Sequence, residues 1–92
     1  MKAVTVTDTA VKVDDAGNRD FINLINIGAE TVYVGYDGAH PTTALTSANG
    51  WPIYANGGTL FISNDRQRNV YNKSIYAICA SGKSSELRVQ GA

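Results

Sequence analysis

Any chemistry in this chain would fall to His40, Cys79 and eight carboxylates. His40 precedes Pro41 in a run of small polar residues, and a histidine-based metal site would need Cys79 or carboxylates from far along the chain as its other ligands. It reads as a surface histidine. Cys79 lies within the apolar run Ile75 to Ala80, with no histidine beside it and no CxxC spacing, and reads as a small packing residue rather than a reactive thiol. The carboxylates are scattered, mostly among turn residues, whereas a glycosidase needs two of them at a fixed separation across a cleft. Asp14-Asp15-Ala16-Gly17-Asn18 has the look of a calcium loop. An EF-hand loop started at Asp14 would need Glu at its twelfth position, and Ile25 stands there. There is no GxSxG, no phosphate-binding loop and no HExxH. The expectation is a non-enzymatic protein with no catalytic residues, no metal and no cofactor.

Composition narrows the partners. Lys and Arg together number 8, Asp and Glu together number 8, and the formal net charge is +0. Nucleic-acid binding draws most of its affinity from phosphate neutralisation, so no nucleic-acid partner is expected. A polybasic membrane contact is disfavoured for the same reason. No apolar run approaches the roughly 20 residues of a membrane helix. The N-terminal Ala3 to Thr7 alternates instead of forming the apolar core of a signal peptide, so synthesis and folding in a cytoplasm are expected. With one cysteine there is no internal disulfide. Ninety-two residues suit one domain spanning 1–92, which would bury only roughly 60–65% of its unfolded surface. Charged residues make up 17%, a low share that suggests surface covered by a partner or by a second copy.

The elements that would position these residues centre on Phe21 to Tyr36, FINLINIGAETVYVGY. Two runs rich in β-branched and aromatic residues flank Gly28-Ala29-Glu30, which predicts a hairpin. Alternation assigns Ile22, Leu24, Val32 and Val34 to the core, and Phe21, Ile25 and Tyr33 to the opposite face. That second face carries more apolar surface than water alone would meet.

Elsewhere, Val4 and Val6 open a first strand, Thr7 to Thr9 bend, and Ala10 to Val13 continue extended. Residues 40–50 predict a long loop with a short strand at Thr42 to Leu45. Trp51 to Tyr54 is a short extended piece whose Pro52 belongs at a sheet edge or strand start. Asn56-Gly57-Gly58 turns the chain, and Thr59 to Ser63 forms a strand with Leu60 and Ile62 inward and Phe61 outward. The polar stretch Asn64 to Lys73 reads as an exposed loop. Ile75 to Ala80 is a strand, Ser81 to Ser84 a hairpin turn, and Leu87 and Val89 alternate along a last strand. No segment of ten residues shows helical periodicity. Short strands at roughly 8–12-residue intervals indicate an all-β sandwich or barrel.

Phe21, Ile25, Tyr33 and Phe61 share the non-core parity of their strands and are the expected protein-contact residues, unless a bulge reverses the parity. Trp51 and Tyr54, flanking Pro52, are compatible with an end plug, a protein contact or a sugar-stacking platform.

The ordered signals Arg19-x-Phe21-Ile22-Asn23-Leu24-Ile25-Asn26, Val32-Tyr33-Val34-Gly35, Gly50-x-Pro52-Ile53, Gly58-x-Leu60-x-Ile62, Tyr76 to Gly82 and Leu87-Arg88-Val89 resemble small virion proteins of tailed bacteriophages, the capsid decoration or cement proteins. The resemblance covers about Arg19 to Val89. It implies an all-β, jelly-roll-like antiparallel sandwich of about eight short strands. It also implies a homotrimer on the capsid surface, bound to the major capsid protein and made in the bacterial host cytoplasm. Ile25 and Phe61 depart from the polar residues expected there, and the loop before Trp51 is longer than in a compact version. A carbohydrate-binding module and a tail, fibre or adaptor component are the competing readings. Glycan binding by the isolated protein, or docking away from the head, would distinguish them.

Overall fold

The computed structural model describes residues 2–14, 21–36, 45–48, 50–63 and 74–91. They form eight strands: β1 Lys2–Val6, β2 Val11–Asp14, β3 Phe21–Asn26, β4 Val32–Tyr36, β5 Trp51–Ile53, β6 Gly58–Ser63, β7 Ile75–Cys79 and β8 Ser85–Gly91. Two antiparallel sheets of order β1-β8-β3-β6 and β2-β7-β4-β5 stack as a sandwich. The first strand pairs with the last, the second with the seventh, the third with the sixth and the fourth with the fifth. The chain is thus one long hairpin rolled over itself, which is the jelly-roll topology.

Alternation along each strand supplies the filling. Val6, Ile22, Leu24, Ile62, Leu87 and Val89 of the first sheet face Val13, Val32, Val34, Ile53, Ile75 and Ala77 of the second in one apolar cluster. Ile22, Leu24, Val32 and Val34 are buried as expected, and Cys79 is buried with them. The half-buried Leu60 packs at the rim of this cluster.

The predicted hairpin of Phe21 to Tyr36 is overturned. β3 pairs with β6 and β8, whereas β4 pairs with β5 and β7, so residues 27–31 carry the chain from one sheet to the other. The physical reason lies in Asn26, whose side chain captures the backbone of this corner and bends it across the sandwich. Ile22 and Leu24 therefore lie across the core from Val32 and Val34, not beside them in one sheet. The turn after β7 is likewise a crossover. Ala80 accepts a hydrogen bond from Lys83 N (2.9 Å), with Gly82 at a φ of 75°, and the chain passes from the second sheet into the first. Leu45 lies outside any strand. The expected strand at Thr42 to Leu45, the Asp15-to-Asn18 turn, His40 and the Asn64-to-Lys73 loop otherwise fall outside the described residues.

Candidate functional site

The corner after β3 shows how the sequence sets the two sheets. Asn26 takes the inward parity of Ile22 and Leu24 and is fully buried. Its Nδ2 donates to the carbonyls of Glu30 (2.7 Å) and Ile53 (2.9 Å). Its Oδ1 accepts from Gly28 N (3.1 Å) and Ser85 Oγ (2.7 Å). Both donors and both acceptor positions of the amide are used, which is what burial of a polar group requires. One side chain thereby ties β3, the corner, the end of β5 and the start of β8. Gly28 is needed there, because a Cβ would run into Ser85 Oγ and lie 2.7 Å from Glu86 N. The sequence reading did not single out Asn26. Its signal was the inward parity of a polar residue at a strand end.

On the outer face of the first sheet, Ile25 stands between Thr59 and Arg88 in register, and Asn23 between Phe61 and Gln90. Phe21 and Phe61 stack diagonally across β3 and β6, with ring centroids 5.6 Å apart and planes at 22°. Ile27 continues the outward parity beyond β3, its N–H bonded to Glu86 O (3.0 Å). Ile27 and Phe61 are 48% and 54% exposed. Phe21, Ile25, Ile27 and Phe61 thus make an apolar stripe along β3 and β6. The polar flank is Glu86, which accepts from Thr5 Oγ1 and pairs with Arg88 at 3.5 Å. Ile27 was missed from sequence because it follows the strand run, although its parity with Ile25 was the available clue.

Tyr33 does not join this stripe, because β4 belongs to the other sheet. Its register neighbours are Pro52 and Ile78 on the opposite exterior. There the chain covers itself: a Cβ on Gly50 would stand 2.6 Å from Tyr33 Cβ and 3.1 Å from Leu45, which is buried outside the inter-sheet cluster. Trp51 and Tyr54 are 48% and 68% exposed, so neither is an end plug. Trp51 shares the parity of the inward Ile53, while Tyr54 follows Ile53 and leaves the strand. Among the described residues the aromatic pair in ring contact is Phe21 with Phe61. The expected contact residues therefore divide into three places: Phe21, Ile25 and Phe61 together, Tyr33 on the far side, and Trp51 with Tyr54 at the β5 edge.

Cys79 donates weakly from Sγ to the carbonyl of Val6 (3.6 Å). Burial raises its pKa, and the nearby carboxylates of Glu30 and Asp8 raise it further, which favours the protonated thiol over the thiolate. Among the described residues no three His, Cys, Asp or Glu side chains gather as a metal site, and no helix is long and apolar enough to cross a membrane. No known protein family, curated protein or solved structure matches this chain.

Proposed function

We propose that the chain is a non-enzymatic structural protein of a tailed-phage virion, a decoration protein that docks on the major capsid protein and reinforces the head. The observation that carries this reading is the apolar stripe of Phe21, Ile25, Ile27 and Phe61 on one exterior, while the other exterior is partly covered by the chain's own Leu45 and Gly50. The jelly-roll strand order agrees with the fold that the motif resemblance implies. Docking through the stripe would gain about 25 cal/mol per Å² of apolar area, less the cost of association. A sandwich fixed by two sheets loses little freedom on docking. The trimer implied by the resemblance would engage several capsid subunits at once and multiply a modest single-site affinity.

The test is Ile25→Asp. Ile25 lies on an inner strand and points outward, so the isolated variant should keep its β spectrum. A carboxylate in a desolvated contact costs several kcal/mol, so occupancy on purified capsids should collapse. A folded variant that occupies capsids like the parent would overturn the stripe as the docking face.

A further inference from the structure

The turn after β5 carries the chain from the second sheet into β6 of the first, beside the corner that carries β3 into β4. Backbone hydrogen bonds tie these two crossovers together. Asn56 N–H donates to the carbonyl of Gly28 (2.9 Å), and Gly57 N–H donates to the carbonyl of Asn26 (2.7 Å). The Asn26 side chain adds its own bond to the carbonyl of Ile53 at the start of the turn. Asn56 has a φ of 61° and is the one non-glycine residue with positive φ among the described residues; Gly57 follows at 107°. A Cβ on Gly57 would meet nothing, so this glycine answers to its φ and not to crowding. Both residues are exposed, so water reaches the turn.

Asn followed by Gly is also a reactive pair. The side-chain amide carbon of the asparagine lies within five-membered-ring reach of the next backbone nitrogen, and a glycine there has no side chain to hinder the attack. In this fold the attacking nitrogen, Gly57 N, is held by Asn26 O, and the residue that must swing toward it is held by Gly28 O.

We propose that Asn56-Gly57 is a self-modification site gated by the docking of the two crossovers: Asn56 is converted to aspartate and isoaspartate when the turn leaves the corner, and is preserved while the turn is docked. In the reaction Gly57 N gives up its proton and bonds to Asn56 Cγ. The Cγ–Nδ2 bond breaks, and ammonia leaves with that proton, closing a succinimide ring. Water then opens the ring. Cleavage between Cγ and Gly57 N gives aspartate; cleavage between the Asn56 backbone carbon and Gly57 N gives isoaspartate, with the main chain rerouted through Cβ and Cγ. No oxidant or reductant is needed. The isoaspartate main chain is one carbon longer at this point, so the two N–H groups no longer match the spacing of the Gly28 and Asn26 carbonyls. The change is therefore one-way: a chain that has opened and reacted cannot restore the tie between its crossovers. This gate is independent of capsid docking.

The intact chain, held at mildly alkaline pH either folded in buffer or unfolded in urea, tests this by peptide mass mapping of amide-to-acid exchange. Asn49-Gly50, the other Asn-Gly pair in the sequence, is the internal reference in urea. Both pairs should react in urea. Asn56 should react about thirtyfold more slowly in buffer, the factor set by two hydrogen bonds of ordinary net strength that must open first. Equal rates at Asn56 in the two conditions, or no reaction at Asn56 in urea while Asn49 reacts, would overturn the proposal. Chains with isoaspartate at position 56, separated by charge and returned to buffer, should melt below the untreated parent. Asn56→Gly keeps a positive φ available and has no amide to lose, so after the same treatment it should melt as it did before. An isoaspartate chain that melts like the parent would show that the turn does not depend on this tie.

Discussion

Replacing Asn26 with Ala should be among the most damaging single changes in the chain. The side-chain amide serves four groups: the carbonyls of Glu30 and Ile53, the N–H of Gly28 and the hydroxyl of Ser85. The bonds to Ile53 and Ser85 are buried, and the other two are partly buried and open to rehydration. A buried polar group left without a partner costs about 1–3 kcal/mol, so the two buried orphans together cost about 2–6 kcal/mol. That is a large share of the roughly 5–15 kcal/mol that a small domain has. Ser85→Ala removes only one donor and leaves Asn26 Oδ1 bonded to Gly28, so it should cost about 1 kcal/mol. Equilibrium urea unfolding of both variants measures the difference, with an unchanged slope confirming that the transition itself is the same. If Asn26→Ala cost no more than Ser85→Ala, the amide would not be what joins the corner to both sheets.

Leu24→Ala removes a fully buried side chain between β6 and β8, and should lower stability by about 2–5 kcal/mol in the same unfolding assay; an unchanged midpoint would mean that β3 faces the other way. Gly28→Ala drives a methyl group into Ser85 and the Glu86 backbone, so the corner must shift at a cost of about 1–3 kcal/mol, and a neutral thermal melt would contradict the close approach. For Cys79 the folded-state thiol pKa lies above its ordinary value of 9.0, so the folded protein holds this proton after the unfolded chain has released it. Its contribution to stability is complete below that pH and falls as pH rises from there through the folded pKa; Cys79→Ala should flatten this alkaline decline, and slow alkylation of the native thiol at neutral pH should become fast in urea.

Strand positions and faces were legible in the sequence because period-2 alternation survives in short strands. Val32 and Val34, Leu60 and Ile62, and the outward Phe61 all lie where alternation puts them. Pairing was not legible. Alternation states which residues face a core, but not whether the matching residues lie beside them in one sheet or across from them in another. The hairpin reading of Phe21 to Tyr36 failed on that ambiguity, and Tyr33 was carried to the wrong exterior with it. β1 meets β8 and β2 meets β7 through contacts between the two ends of the chain, for which local sequence holds no sign. Asn26 was hidden for a different reason: a polar residue at a strand end usually marks a turn, and only its four partners show that it is a buried tie. Leu45 and Gly50 lie in a stretch without periodicity, so nothing local marked the close approach of Gly50 to Tyr33 and Leu45.

The claim that this chain is a capsid decoration protein meets its most direct test in a cryo-electron map of phage particles purified from cells that express it. The account predicts a jelly-roll density on the outer surface of the head, repeated at a fixed ratio to the major capsid protein, with Phe21, Ile25 and Ile27 turned toward that protein. Particles that lack the chain would contradict it, as would particles that carry it with the outer face of the β1-β8-β3-β6 sheet turned to solvent.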